Sequence, residues 1–291
     1  GYNAESCNGY LVLGRCWAYI MAGILMPYIG EMGQQGYVTP NQIPNLSLWY
    51  NASASATIVN GVSTNNFSSS VVNGTSIGTW NDLSGAGHPA NVNGGVGKQP
   101  NYAIPIQNGL GAVQYTSSSS DNLDINPISW SQNLAGFTIY ILARPTSLPG
   151  TVFPLTVTDT FLGVWWNGTN WSAGQSSGNL GTATLSNDTT KFHIYGLVFD
   201  GSQTGNANRL KLRYDRTGAN LTFSGTVGTT TASPAYFFFG GDNRGNAVNS
   251  TFSSTYMDGY IGEVMIWTRT LTSAEQLSIE LYLNTKWGLG Y

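Results

Sequence analysis

The apolar positions of this chain follow one rule in the first 40 residues and another after them. Residues 10–29 read YLVLGRCWAYIMAGILMPYI, an almost unbroken apolar run with one charge, Arg15. Its Leu, Ile and Met content predicts a helix, and about 20 helical residues suffice to cross a bilayer. Arg15, Gly14, Gly23 and Pro27 fit a membrane span less well than they fit close helix–helix packing. The segment therefore has two readings, burial against sister subunits through residues 10–30 or insertion into a membrane. Because the chain opens on Gly1, a preceding leader is expected to have been removed. Residues 33–44, GQQGYVTPNQIP, combine Gly, Gln and two prolines and predict an extended linker.

Downstream, short β-rich runs at residues 137–143, 162–166, 192–199, 209–214, 236–239 and 260–267 are separated by Gly/Asn/Ser/Thr clusters. That spacing is expected of sandwiches and barrels. In RLKLRYD, Leu210, Leu212 and Tyr214 share one face and Arg209, Lys211 and Arg213 the other, which predicts a half-exposed strand. YFFFG and GLVF are apolar on both faces and should lie deeper. One helix closes the chain. Thr272-Ser273-Ala274-Glu275 has the form of a capping box, with Leu277, Leu281 and Ile279 as its apolar side, and the helix is expected on the sandwich edge. The domain expectation is an apolar helical arm over residues 1–32, a linker over 33–44 and one all-β domain over 45–291.

Composition narrows the partners. Only 9% of the 291 residues are charged, against about 25% in ordinary soluble proteins, while 41% are apolar and 12% aromatic. The chain can bury a large core, and its polar character is mostly uncharged. A net charge of −3 with scattered basic residues provides no footprint for nucleic acid. The two cysteines, Cys7 and Cys16, exclude a disulfide-rich scaffold; they form a local disulfide if the protein is exported, or pack as two small free thiols. Nine glycosylation sequons occur, at Asn45, Asn51, Asn66, Asn73, Asn167, Asn170, Asn187, Asn220 and Asn249.

Several phrases carry a resemblance. LSLWYNAS, TWNDLSGAGHPANV, QPNYAI and NGLGAVQY, within residues 46–115, resemble the opening of laminin-G-like, concanavalin A-like jelly-roll domains. The ending DGYIGEVMIWTRTLTSAEQLSIELYLNTKWGL is similar to their last strand and helix. The resemblance implies an all-β, two-sheet antiparallel jelly-roll sandwich of the kind found in secreted lectin-like modules, polysaccharide-active enzymes, bacterial surface proteins and virus structural proteins. Fold therefore says little about chemistry. Asn51 stands where such domains often carry Asp in an LW-x-D-A-S motif. Trp49 and Trp80 read as core aromatics, and Asp82 as the acid that fixes the turn Asn81-Asp82-x-Ser84-Gly85.

Glycoside hydrolysis needs two carboxyl groups flanking the sugar bond, and no strand carries alternating acids that point one way. Asp121 and Asp124, three apart, would not share a strand face. Glu263 is either a catalytic carboxylate or, as we favour, a buried acid that ties down a loop. His88 and His193 lack the neighbours of a zinc site. Calcium is the ion the resemblance implies, with Asp242, Asn243 and Asp258 flanking a long loop as candidate ligands. For sugar, Trp165, Trp166 and Trp171 in VWWNGTNW form the candidate stacking cluster. Neighbouring strand residues face opposite ways, so at most one of Trp165 and Trp166 is expected in a core unless a ligand, a neighbouring subunit or a loop covers the other.

The expected function is a non-enzymatic extracellular structural or adhesive protein, a homo-oligomeric virion or filament subunit displaying a lectin-like domain on the cell or virion surface. The alternative is a secreted carbohydrate-binding module that takes glycan partners, followed by a polysaccharide-cleaving enzyme.

Overall fold

The computed structural model describes residues 38–54, 58–60, 72–92, 98–148, 153–158, 162–175, 180–233, 237–241 and 256–291. The chain divides into two units, Gly1–Tyr37 and Val38–Tyr291, and everything described belongs to the second. The helical arm, the contact through residues 10–30, Cys7 and Cys16 lie outside the described residues, as do Asn66, Asp242, Asn243 and Asn249. Among the described residues no helix is long and apolar enough to cross a membrane.

The second unit is all-β and antiparallel, in two sheets. With strands numbered in chain order, the first sheet runs β15 (Thr217–Ala219), β14 (Leu210–Tyr214), β13 (His193–Asp200), β8 (Gly136–Pro145), β18 (Gly259–Trp267), β6 (Leu110–Tyr115), β5 (Asn101–Gln107), and β1 (Leu46–Asn51) also pairs with β18. The second runs β16 (Thr222–Phe223), β12 (Leu180–Ala183), β11 (Trp171–Gly174), β10 (Gly163–Trp166), β9 (Phe153–Thr158), β17 (Phe237–Phe239), β7 (Leu123–Ile125), β4 (Ala90–Asn91), β3 (Ile77–Trp80), β2 (Ile58–Asn60). All six predicted β runs are strands, with ends displaced by a residue or two.

Two apolar layers explain why β8 is hydrophobic on both faces. Phe137, Ile139, Ile141 and Ala143 join Trp80, Trp171, Tyr195 and Phe237 in the core between the sheets. Tyr140 and Leu142 point the other way, into a second cluster with Met265, Trp267, Ile279, Leu283 and Trp287, under the C-terminal helix Ser273–Trp287. The helix begins as predicted: Thr272 Oγ1 accepts from the Glu275 amide at 3.3 Å, and the Thr272 amide donates to Glu275 Oε2 at 2.8 Å. Its position and buried face differ from expectation. It lies on the outer face of the first sheet rather than at an edge, and it buries Gln276, Ile279, Glu280, Tyr282, Leu283 and Trp287 while Leu277 is 49% exposed. The buried polar groups have partners: Gln276 Nε2 donates to the Leu271 carbonyl at 2.7 Å, and the sheet serves Glu280. Tyr140 hydroxyl donates to Glu280 at 2.9 Å, and Arg213 of β14 forms an ion pair with the same carboxylate.

A bulge sets the phase of β18. Its register against β8 shifts between Ile261 and Glu263, so Ile261 faces the inter-sheet core while Glu263 faces the helix. Gly262 stands at that shift, and a Cβ there would lie 2.7 Å from the Trp287 ring. Residues 38–44, expected to be extended, contain one 3-10 turn at Pro40–Gln42 and bury Ile43 in the outer cluster.

Candidate functional site

The tryptophan cluster is built into the core. Trp166 and Trp171 are direct cross-strand partners on β10 and β11, with ring centroids 5.8 Å apart in an edge-on arrangement, and Trp171 packs 4.6 Å from Tyr195. Trp165, Trp166 and Trp171 are 2%, 6% and 0% exposed. A sugar ring cannot reach faces already covered by protein, so the expectation that these three stack on carbohydrate is corrected. The loop joining them is fixed by ordinary turn chemistry, since Asn167 Oδ1 accepts from the amides of Thr169 at 3.0 Å and Asn170 at 2.8 Å.

Of the predicted calcium ligands only Asp258 lies among the described residues. Asp258 accepts from the Ser117 amide and hydroxyl, both at 2.7 Å, and from Ser147 Oγ at 3.3 Å. No cluster of three or more His, Cys, Asp or Glu side chains occurs among the described residues. Asn51 is also a poor glycan acceptor. It is 7% exposed, and its Oδ1 accepts from the Ser53 amide at 3.1 Å and from Lys286 Nζ at 3.0 Å. Asn45, Asn73, Asn167, Asn187 and Asn220 are exposed, and Asn170 is half-buried.

Both acids weighed for special roles are structural anchors. Asp82 accepts from the amides of Trp49 (2.9 Å), Ser84 (2.8 Å) and His88 (3.1 Å), closing the predicted turn. Glu263 is fully buried and accepts from Lys286 Nζ (2.6 Å), Trp287 Nε1 (2.7 Å), Trp49 Nε1 (3.1 Å) and the Tyr282 hydroxyl (3.1 Å). It ties down a helix, not a loop, and its donors leave no open approach for a substrate.

An open recess lies where residues 219–222 pass from β15 of the first sheet to β16 of the second. It is a cleft of about 670 Å³ whose lining includes Asn170, Thr182, Thr184, Tyr214, Asn220 and Thr222, and no charged side chain lines it. Thr184 hydroxyl donates to Asn170 Oδ1 at 3.1 Å, and Thr182 hydroxyl donates to the Thr222 carbonyl at 3.3 Å. Tyr214 is held from behind. Its hydroxyl lies 2.8 Å from His193 Nδ1, which lies 2.7 Å from Asp215 Oδ2 and 3.0 Å from the Tyr291 hydroxyl. Burial, with the Asp215 charge adding to it, raises the Tyr214 phenol, which therefore stays protonated at neutral pH. Amide and hydroxyl groups beside one aromatic ring are the chemistry of sugar recognition. Sequence reasoning missed this cleft because its residues come from separate runs with no shared motif; the uncharged Asn/Thr composition was the only signal.

No protein-family model matches the chain, and no curated protein matches it in sequence. Similarity appears among solved structures. A Trypanosoma rangeli sialidase is 14% identical with a TM-score of 0.50, over 92% of this chain and 39% of the sialidase. The receptor-binding domain of a botulinum neurotoxin C/D mosaic serotype is 9% identical with a TM-score of 0.50, over 82% of this chain and 51% of that one. Botulinum neurotoxin type C, whose cell entry depends on two ganglioside molecules, is 10% identical with a TM-score of 0.48, over 87% and 52%. The chain thus spans about two fifths of the sialidase and about half of each toxin chain. The likeness is one of fold, and it corrects two expectations. These similar structures are a sialidase, which is an enzyme, and a toxin receptor-binding domain, not virion or filament subunits. The reading of a structural virion or filament subunit is withdrawn, and so is the expectation that the protein is not an enzyme. What these comparisons establish is that the all-β unit is similar in fold to domains of sialidase and toxin receptor-binding chains.

Proposed function

We propose that residues 45–291 form a concanavalin A-like jelly roll that binds carbohydrate outside the cell, with the edge cleft as its sugar site. The observation that carries this is the cleft lining: hydroxyls of Thr182, Thr184 and Thr222 and amides of Asn170 and Asn220 beside the ring of Tyr214, with no charge among them. Uncharged donors and acceptors exchange water for sugar hydroxyls without the desolvation cost a charged group would carry. The sialidase and toxin domains of similar fold support the reading, since one acts on a glycan and the other recognises a receptor.

The test is a glycan array with the full chain, followed by titration of the best hit. Asn220→Ala and Thr182→Val should each weaken binding by about 1 kcal/mol or more, the worth of a lost hydrogen bond; Asn220→Ala should do so without moving the melting temperature, whereas Thr182→Val also gives up the bond to the Thr222 carbonyl and should lower it slightly. Absence of any bound glycan, or full binding by the double variant, overturns the proposal. Release of reducing ends from the bound glycan would assign cleavage to the same cleft.

A further inference from the structure

A second surface lies on the other side of the first sheet, beyond the end of the C-terminal helix. Register places Arg144 of β8 opposite Tyr260 of β18, Tyr260 opposite Gln114 of β6, and Gln114 opposite Asn101 of β5. Directly paired residues share a face, so the four form one cross-strand row. That row is on the helix side, because Tyr260 packs against the outer cluster and Phe192, a member of it, lies 5.5 Å from Trp287 at the helix end. The row is half-buried and open to solvent along its length.

Arg144 is held in place there without a counter-charge. Its guanidinium carbon lies 4.5 Å from the Tyr260 ring centroid and 5.3 Å from that of Phe192. Among the described residues it makes no ion pair, and its Nε is buried with no hydrogen-bond partner. Asp258, two residues before Tyr260, is committed to Ser117 and Ser147. Covering Phe192 would need only an aliphatic stem, which a lysine or methionine provides without leaving a buried donor unpaired. A planar fork braced by two rings is suited to bind a carboxylate through two parallel hydrogen bonds. Beside it, the Gln114 and Asn101 amides offer partners for sugar hydroxyls, with Tyr260 bracing the guanidinium, and Asn101 is oriented by Ser76, whose hydroxyl donates to its Oδ1 at 3.2 Å.

We propose that Arg144, Tyr260, Gln114 and Asn101 form a site for a carboxylate-bearing saccharide, distinct from the uncharged edge cleft. The cleft takes neutral sugar; this row takes an acidic one. The experiment is calorimetric titration of the full chain with 3′-sialyllactose, a glucuronate-terminated disaccharide, sulfated lactose and lactose. The carboxylate sugars should bind about tenfold tighter than lactose, and Arg144→Gln, Arg144→Lys and Tyr260→Ala should each weaken them about tenfold. The Lys variant keeps the charge and the apolar stem while losing the fork, so its loss cannot be assigned to unfolding if its melting temperature matches the parent's. Asn220→Ala in the cleft should leave acidic-sugar binding unchanged, which separates failure here from failure of the cleft. Binding of neither carboxylate sugar, or binding by Arg144→Gln equal to the parent's, overturns the proposal. Sulfated lactose binding tightest, and surviving Arg144→Lys, overturns the carboxylate assignment.

Discussion

Lys286 Nζ lies 2.6 Å from Glu263 Oε1, joining the last turn of the C-terminal helix to the bulged strand beneath it. The carboxylate is fully buried and the ammonium nearly so, at 18% side-chain exposure. A buried charge survives only when its partners replace its lost hydration, and Glu263 has four.

Removing that carboxylate should therefore do more than remove a bond. Glu263→Ala leaves two indole N–H groups without their acceptor and Lys286 without its counter-charge, held only by Asn51 Oδ1 and the Tyr282 hydroxyl, and should cost about 3–5 kcal/mol, read from the urea midpoint. Glu263→Gln keeps an acceptor and should cost less. A loss for Glu263→Ala under about 1 kcal/mol, the range of an exposed ion pair, would contradict this account.

Trp171 separates packing from recognition. It is fully buried, so Trp171→Ala should cost about 3–5 kcal/mol through the cavity it leaves. Trp171→Phe, which retains most of the apolar volume, should lower the melting temperature while glycan affinity stays at the parent's value. Affinity lost in a Trp171→Phe protein that melts normally would return the indole to the binding site.

Asp121 gives stability an unusual pH dependence. Burial is the largest influence on its carboxyl and, with a smaller push from Asp258, raises it from 3.8 to about 6 against the pull of Thr116 hydrogen bonds. A carboxyl raised on folding favours the folded state while protonated. Its contribution is full below about pH 4, the range of a free carboxyl, and is lost as pH rises through about 6. Asp121→Asn, neutral throughout, should raise the urea midpoint at pH 7.5 and have little effect at pH 3.5. Equal gains at both pH values would show that ionisation is not the cause.

Glu275 behaves in the opposite sense. The Arg269 guanidinium, contacting it at 2.6 and 2.9 Å, is the main reason its carboxyl falls to about 2, with the Thr272 hydrogen bonds assisting. Its stabilisation is present above the ordinary glutamate range and disappears as pH falls through about 2. Thermal melts should show Glu275→Gln less stable than the parent at pH 7 and equal to it near pH 2. Thr272→Ala, which removes the other half of the capping box, should cost about 1 kcal/mol.

Sequon occupancy should follow exposure. In a glycosylating secretory host, mass spectrometry of the folded protein should find glycan on exposed Asn73 and Asn187 and none on Asn51, whose side chain is enclosed between Ser53 and Lys286.

Much of the fold was legible in the residues themselves. Turn chemistry is local, so Asp82 with Ser84 declared its turn and Thr272 with Glu275 declared the helix start. Strand alternation is also local, and Leu210 and Leu212 face inward as RLKLRYD predicts. Burial is not local. The side of β18 that Glu263 occupies depends on a one-residue bulge, because a period of two reverses every side chain after a slip. The covering of Trp165, Trp166 and Trp171 depends on elements distant in sequence, such as Tyr195 on β13, and no run of residues records who will pack on it. The candidate sites are further still from the sequence. The cleft draws on residues from 170 to 222 and the Arg144 row on four strands, so each exists only once nonlocal pairing has brought those strands together. Local chemistry thus wrote the β runs, the caps and the scarcity of charge into the chain, whereas nonlocal packing selected which aromatics are core and which polar groups face water.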